Sequence, residues 1–240
     1  MLFPFFCTYD KIYPKNIHRY EREVHAFMDI TMLGTGNAMV TECYNTCFVL
    51  RDGDKHLLVD GGGGNTLLAQ LKHAGFDWMD MREIFVTHKH VDHIMGVVWM
   101  IRMICQHMKQ GQYESEATIY GHEEVIRILE EMAEMLYPKK QTCYIGDRLH
   151  LVVVEDGEER TIMGHKTTFF DIQSTKAKQF GFCMDMGNGE KFTCCGDEPY
   201  NECEKKYAEN SKWLLHEAFC LFDQADRFHP YEKHHSTAKD

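Results

Sequence analysis

Several features are scarce in this chain of 240 residues, and each scarcity excludes a class of protein. No stretch approaches the roughly 18 consecutive apolar residues of a membrane-spanning helix, so we expect no membrane partner. Residues 1–6 are apolar, but they are too few for a signal-peptide core and no basic segment precedes them. Lysine and arginine total 26 against 37 acidic residues, a net charge of −11, which argues against nonspecific nucleic-acid binding.

The remaining composition is that of a globular protein, with 44% hydrophobic and 26% charged residues. The length suffices for one domain that buries about 70% of its unfolded surface. Ten cysteines in a long chain without an export signal predict reduced thiols and a cytoplasmic location rather than a disulfide framework. Cys43 and Cys47 have the spacing of a zinc-binding pair, but no second pair completes a site, so we expect both to pack in the core.

Residues 87–93, Thr-His-Lys-His-Val-Asp-His, are the most informative segment. The apolar run 83–86 before them predicts a buried strand, and residues 94–107 have the length and periodicity of a helix. The segment therefore lies at the carboxyl end of a strand, where open α/β layers usually place their chemistry. Its potential ligands are His88, His90, Asp92 and His93. Imidazole and carboxylate groups bind zinc, manganese and iron.

The spacing within this segment predicts two neighbouring metal ions. Residues two apart in an extended chain share a face, so His88 and His90 project together. Asp92 and His93 begin the helix and point across the same hollow. The alternative is a set of solvated surface histidines, because the chain has 15. Three imidazoles and a carboxylate within six positions favour metal binding.

Five further blocks accompany this segment along the chain. They are residues 32–37 (Met-Leu-Gly-Thr-Gly-Asn), 57–64 (Leu-Leu-Val-Asp followed by four glycines), 195–197 (Cys-Gly-Asp), 215–218 (Leu-His-Glu-Ala) and 235–238 (His-Ser-Thr-Ala). In this order the blocks resemble the metallo-β-lactamase superfamily, and more closely its ribonuclease Z-like branch. The resemblance implies an α/β fold, a four-layer αββα sandwich, in a single domain of residues 28–240. Residues 1–27 would be an N-terminal extension, and at Asp240 either the chain is truncated or another element covers that edge of the fold.

The resemblance also implies roles for residues outside the histidine segment. Asp197 would bridge both metals, and His235 would complete the second site beside Asp92 and His93, with the neighbouring His234 as the competing candidate. Asp60 would orient ligating histidines from behind, unless it is only a turn residue.

One ligand that the family pattern leads us to expect is missing. The window before Gly181 contains no histidine, and Gln173 is the closest match to the position of that ligand. An amide oxygen binds zinc more weakly than imidazole does. His165 is near in sequence but is too early on its strand to substitute. The resemblance therefore implies a weakened first metal site.

Two residues would carry catalysis according to the resemblance: His216 and the ligand Asp92. In the family the histidine that matches His216 lies near the scissile phosphate, where it would stabilise the transition state or protonate the leaving oxygen. The alternative is a core histidine that ends the apolar run 213–215.

We therefore expect a dinuclear metal-dependent hydrolase, with zinc as the first choice of metal and manganese or iron as alternatives. A phosphodiester or nucleotide-type substrate is favoured, attacked by hydroxide generated at the metals. The alternatives are a lactone, thioester or β-lactam hydrolase, and a catalytically reduced metal-binding protein in view of Gln173. The family binds transfer RNA through a glycine- and proline-rich arm, but Pro138 is the only proline between the histidine segment and Asp197. The arm is therefore missing, which argues against transfer RNA as the substrate. The sequence leaves open whether the protein forms a homodimer.

Periodicity predicts the secondary structure. The expected strands are residues 29–33, 47–51, 56–59, 83–87, 149–155, 167–171, 180–184 and 191–195, and the expected helices are 65–74, 94–107 and 122–137.

Overall fold

The computed structural model describes residues 28–239, which form two β-sheets packed face to face with helices outside them. The predicted extension, residues 1–27, lies outside the described residues. The strands are β1 (Asp29–Gly34), β2 (Cys47–Asp52), β3 (Lys55–Val59), β4 (Glu83–Phe85), β5 (Ala117–Gly121), β6 (Leu149–Val153), β7 (Glu159–Ile162), β8 (His165–Asp171), β9 (Phe180–Gly187), β10 (Glu190–Cys194) and β11 (Trp213–Leu215). The helices are α1 (Thr66–His73), α2 (Val91–Lys109), α3 (Glu123–Leu136), α4 (Lys139–Thr142), α5 (Lys205–Ala208) and α6 (Ala225–Phe228).

The first sheet follows chain order from β1 to β6. Strands β1 to β3 are antiparallel hairpin neighbours, whereas β3 to β6 are parallel and joined by helical crossovers. Helices α1, α2 and α3 pack on its outer face, and their apolar stripes form one core with Val49, Leu58 and Ile84 of the sheet. Each parallel strand ends at the same edge of this sheet, so the chain places its strand-to-helix turns side by side there.

The second sheet has the order β11-β10-β9-β8-β7, with only β10 and β11 parallel. Aromatic side chains fill the space between the two sheets: the ring of Phe85 lies 5.1 Å from that of Phe169 and 5.4 Å from that of Phe182. On the other face of this sheet, Phe170 stacks on Tyr207 of α5 with ring centroids 4.1 Å apart. The layers are therefore helix, sheet, sheet, helix, and the predicted αββα sandwich is confirmed.

Most predicted elements are present with shifts of a few residues at their ends, but three strands were not predicted: β5, β7 and β11. Each is short, with three to five residues, and gains its partners from the rest of the sheet rather than from a strong local pattern. Cys47 is buried as expected, but the expectation that Cys43 packs in the core is wrong because Cys43 is exposed. All nine cysteines of the described residues are free thiols. No helix among residues 28–239 has the length and apolar character needed to cross a bilayer.

Candidate metal centre

The histidine segment connects β4 to α2, and the first turn of α2 packs directly against the glycine loop that follows β3. The Gly61 amide donates to the His93 carbonyl at 2.7 Å, and the Gly96 amide donates to the Gly62 carbonyl at 2.9 Å. A Cβ atom on Gly96 would lie 1.8 Å from the Gly61 carbonyl oxygen, so this close approach requires glycine. The contact brings the ring of His93 next to the side chain of Asp60.

Asp60 is the centre of a buried hydrogen-bond network. Its backbone has φ of +58°, a left-handed conformation that turns the carboxylate back towards β4. Oδ1 accepts from the Thr87 amide, and Oδ2 accepts from the Thr87 hydroxyl and from Nδ1 of His93, each at 2.8 Å. Asp60 is therefore more than a turn residue, because it holds two residues of the histidine segment in place.

This network fixes the tautomers of two histidines. The Thr87 hydroxyl donates its proton to Asp60, so at 2.9 Å from Nδ1 of His88 it must accept from that nitrogen. Likewise, Nδ1 of His93 donates to Asp60. Each ring consequently carries a proton on Nδ1, so Nε2 is the nitrogen that each ring would offer to a metal. These hydrogen positions follow from the donors and acceptors around them.

The free nitrogens face the other ligand candidates. Nε2 of His88 lies 2.9 Å from Nδ1 of His90. Nε2 of His93 lies 3.7 Å from an Asp92 carboxylate oxygen and 3.5 Å from Oδ2 of Asp197. Asp60, Thr87, His88, His90, Asp92 and His93 are hereafter the inner cluster. Ligand atoms of His88, His93 and Asp197 all lie within 4.8 Å of one another.

A second group, the outer cluster, consists of Asp197, Glu217 and His235, whose ligand atoms also lie within 4.8 Å of one another. Asp197 thus belongs to both sets of ligands, as a bridging carboxylate would. It reaches the site through Gly196, which has φ of +80° after β10. Oε2 of Glu217 is 3.3 Å from Nδ1 of His235, but without the hydrogen bond that Asp60 makes with His93.

Glu217 is the site residue that sequence reasoning missed. Its Oε1 accepts from the Ser236 amide at 2.6 Å and from the Ser236 hydroxyl at 2.8 Å. The glutamate lies in the same block as His216, and that block was assigned a function through the histidine alone. Its sequence signal is the pairing of His-Glu-Ala with a later His-Ser.

The charges of the centre favour a bound cation. Burial, with help from the neighbouring His93 and His90, lowers the pKa of His88 well below its usual value. Burial would also lower the pKa of His93, but the Asp60 and Asp197 carboxylates outweigh it and raise that pKa to about 10. In turn, burial raises the pKa of Asp197 less than His93 lowers it, so the net shift is downwards. Carboxylates that stabilise a proton on His93 would equally stabilise a divalent ion, so the donor set fits the expected metals.

Other predicted site residues lie apart from these contacts. Gln173 is exposed with φ of +57°, and its backbone amide donates to the Asp171 side chain at 2.8 Å. His165 is at the opposite end of β8, where Nε2 contacts Asp52 at 2.7 Å. His234 is exposed and 3.4 Å from the Thr175 hydroxyl. Neither His165 nor His234 belongs to a group of candidate ligands among the described residues.

His216 is partly buried, and both of its nitrogens face protein groups. Nδ1 lies 2.9 Å from the Glu217 carbonyl oxygen. Nε2 is buried and lies 3.9 Å from a carboxylate oxygen of Glu204. The expected position of His216 at a scissile phosphate therefore requires its ring to turn from this arrangement.

Comparison with known proteins places the chain in a family. The sequence model of the family described as anti-Pycsar protein Apyc1 matches residues 28–233, so the chain belongs to this family. A ribonuclease Z of Methanothermobacter thermautotrophicus is 34% identical over 111 residues, which are 46% of this chain and only 34% of that relative. A ribonuclease Z of Prochlorococcus marinus is 24% identical over 88% of this chain and 81% of its own length.

Solved structures agree on the fold. A diphosphatase of the PhnP family aligns with a TM-score of 0.66 and 16% identity, covering 88% of this chain and 78% of its own. The short form of human tRNase Z aligns with a TM-score of 0.65 and 21% identity, covering 88% and 84%. The chain is therefore a ribonuclease Z-like member of the metallo-β-lactamase superfamily, as the motifs predicted.

Proposed function

We propose that this protein is a dinuclear metal-dependent phosphodiesterase that acts on a small phosphodiester or nucleotide-type substrate. The observation that carries the proposal is the hydrogen-bond network of Asp60, which leaves Nε2 of His88 and of His93 free and directs both towards the shared carboxylate Asp197. Ribonuclease Z relatives and a diphosphatase with the same fold support phosphate chemistry over other reactions of this scaffold.

The metal ions and the protein residues would have different roles in hydrolysis. His88, His90 and Asp197 would hold one ion, and Asp92, His93, Asp197 and His235 the other, with zinc as the first choice and manganese or iron as alternatives. When bound, divalent ions polarise a phosphate and lower the pKa of water. The protein's own contribution is to fix the tautomers of His88 and His93 through Asp60 and to exclude water beneath His88, which is fully buried. Asp92, at the edge of the inner cluster, would orient the attacking water.

The helices and strands beside the metal centre favour a small substrate. Between α2 and β8, the described residues contain three strands and two helices and no extended arm. The side chain of Lys89, between two ligand histidines, is held by Glu124 at 2.7 Å and is 38% exposed. A protein of net charge −11 would thus meet an anionic substrate through its metals and a few local cations rather than through a broad basic surface.

Hydrolysis of bis(p-nitrophenyl) phosphate and of dinucleotides by zinc- or manganese-loaded protein tests the proposal. We expect turnover that falls by at least about 100-fold in His93→Ala, because one ligand and the contact to Asp60 are lost together. The matched control is His150→Ala, which removes a surface histidine paired only with Glu116. If the loaded protein cleaves lactones, thioesters or β-lactams and no phosphodiester, the proposed substrate class is wrong.

The exposed position of Gln173 favours a second candidate, a metal-binding protein with reduced catalysis. Without a further ligand beside His88 and His90, the first ion would be held more weakly than the second. A metal content near one ion per chain, with no hydrolysis of any substrate class, would favour this candidate over the phosphodiesterase.

A further inference from the structure

Gln179 is a buried polar residue that the proposed catalysis does not use. It ends the loop between β8 and β9 and is 1% exposed. Its Oε1 accepts from the backbone amide of Asp197 at 3.1 Å. This bond also fixes the orientation of the side-chain amide of Gln179, because a backbone amide can only donate and Nε2 could not accept from it.

Asp197 lies beyond the strand pairing that would otherwise hold its backbone. The pairing of β10 with its neighbours β9 and β11 ends at Cys194, and one further backbone bond follows from the Cys195 amide. Gly196 then turns the chain away with φ of +80°. In the described part of the chain the strand pairing does not extend to the Asp197 amide, so the side chain of Gln179 supplies the acceptor that this partly buried donor requires.

The contact between Gln179 and the turn at Gly196 is tight. A Cβ atom on Gly196 would lie 3.3 Å from Oε1 of Gln179 and 3.0 Å from Cδ1 of Ile172. Any other residue at this position would therefore press on the acceptor, besides straining the left-handed backbone. Gln179 is held in turn, because its carbonyl accepts from the Ile172 amide at 3.1 Å.

The same loop end is bonded to the inner cluster. The Phe180 amide donates to the Thr87 carbonyl at 3.0 Å. Thr87 directly precedes the ligand candidate His88. Residues 179 and 180 therefore connect two parts of the metal centre: they bond on one side to the segment that carries the inner ligands, and on the other to Asp197, which follows a strand of the second sheet.

This connection determines where the Asp197 carboxylate lies. Its Oδ2 is 3.5 Å from Nε2 of His93, and a carboxylate oxygen is also within 4.8 Å of ligand atoms of Glu217 and His235. A carboxylate shared by two sets of ligands has little freedom, because a shift towards one set takes it away from the other. The backbone that carries it follows a glycine turn, and the bond to Gln179 fixes that backbone at the residue itself.

We propose that Gln179 is a positioning residue for Asp197: its side-chain oxygen holds the backbone of Asp197 so that the carboxylate reaches both clusters. No motif indicates this role, because the family pattern draws attention to Gln173 of the same loop, whose side chain is exposed. The proposal rests on the metal binding of the proposed function but not on its phosphodiester chemistry.

Zinc titration against a chromophoric chelator tests the proposal with two variants of Gln179. Methionine has a similar length but carries a thioether, which is a weak acceptor, whereas glutamate keeps an oxygen at the end of the side chain. We expect Gln179→Met to weaken both zinc ions by about tenfold, because both sites share Asp197. Gln179→Glu should lose no more than about threefold, because the Asp197 amide keeps its acceptor.

The matched control is Gln141→Met in the helical layer. Gln141 is also buried, and its side-chain amide bonds to the side chain of Gln106. This variant removes a buried amide away from the metal centre, so it should lower stability without lowering zinc affinity. Urea unfolding of the metal-free proteins separates a loss of fold from a loss of ligand geometry.

Hydrogen exchange of the Asp197 amide, followed by NMR spectroscopy of the metal-free proteins, measures the proposed bond without any metal. After correction for intrinsic rates, this amide should exchange at least about tenfold more slowly in the wild type than the amide of Asn188, which lies in the exposed turn after β9. Gln179→Met should remove this protection and Gln179→Glu should keep it. The wild-type measurement still decides the proposal if Gln179→Met fails to fold.

Three results would overturn the proposal: two zinc ions bound with wild-type affinity by Gln179→Met, equal losses of affinity in the Met and Glu variants, or a wild-type Asp197 amide that exchanges as fast as that of Asn188. If the wild type hydrolyses no phosphodiester but the pattern of zinc affinities holds, the proposed function fails and this inference stands.

Discussion

The inner and outer clusters contain similar donor types but are built in different ways. His88 and His93 of the inner cluster are 0% and 3% exposed, and regular elements support them, with β4 on one side and α2 on the other. In the outer cluster, the side chains of Asp197 and His235 are 34% and 18% exposed and lie on loops after β10 and near the C-terminus. The inner cluster is thus preorganised by packing, whereas the outer cluster depends on contacts between distant segments.

The two clusters should respond differently to the loss of a single side chain. A packed network transmits the loss of one group to all its members, because no side chain can move to compensate. The outer cluster has partly exposed ligands on loops, so the loss of one support should affect one ligand and leave the inner histidines in place. Variants in the inner cluster should therefore lower metal affinity more, and disturb more ligands, than variants in the outer cluster.

Asp60→Asn should have the largest effect. The amide presents a donor where Asp60 now accepts from Thr87 or from Nδ1 of His93, so one buried bond is replaced by a clash of donors. We expect both metals to bind about 10- to 100-fold more weakly and the protein to lose about 1–3 kcal/mol of stability. Chelator competition and urea unfolding measure the two losses.

The matched control for this variant is Asp77→Asn, which alters an exposed cap that accepts from the Met79 amide. Weakening confined to one metal in Asp60→Asn would show that the carboxylate does not link the two sites.

Thr87→Val should have a smaller effect, limited to His88. The hydroxyl links Nδ1 of His88 to Asp60 through two hydrogen bonds, and valine preserves the shape of the side chain. We expect the ring to lose its fixed tautomer, which ¹⁵N spectroscopy of the histidines would detect, and the inner metal to bind about tenfold more weakly. Thr193→Val, at a buried threonine of β10, is the control. An unchanged tautomer of His88 would contradict the proposed role of the hydroxyl.

The same difference explains what the sequence could predict. The inner ligands lie within six consecutive residues between a strand and a helix, so their spacing alone indicated convergence. Asp197 and His235 could be assigned only from the order of family motifs, because 38 residues separate them. Glu217 and Gln179 were not recognised: their roles depend on which atoms of Ser236 and Asp197 lie near them, and such contacts leave no periodic pattern. Likewise, no residue type near Gln173 indicated that its side chain is exposed or that its backbone is left-handed.

Glu204→Gln should change the dependence of stability on pH by a moderate amount. The pKa of this buried carboxyl is raised from 4.5 to about 7, so its contribution to stability is fully present below pH 4.5 and is lost as the pH rises through about 7. The wild type should lose up to about 3 kcal/mol over this window relative to the variant, whose amide does not titrate. Urea unfolding of the metal-free proteins at pH 5 and pH 8 checks this, and parallel pH profiles would contradict it.

Gln173→His should have the smallest effect. The family pattern expects a metal-binding histidine at this position and predicts a gain in metal content. The structure has the side chain of Gln173 exposed and its backbone amide bonded to Asp171, so we expect zinc affinity to change by less than about twofold. Zinc titration of the two proteins decides between these expectations, and Gln112→His in an exposed turn is the control.

We propose that the inner and outer clusters hold two metal ions through the shared carboxylate of Asp197. Elemental analysis of metal-loaded wild type and Asp197→Asn, after removal of unbound ions, measures this sharing. We expect two ions per chain in the wild type and fewer than one in the variant, since both sites lose their common ligand. Equal metal contents in the two proteins, or a wild type that retains none, would contradict it.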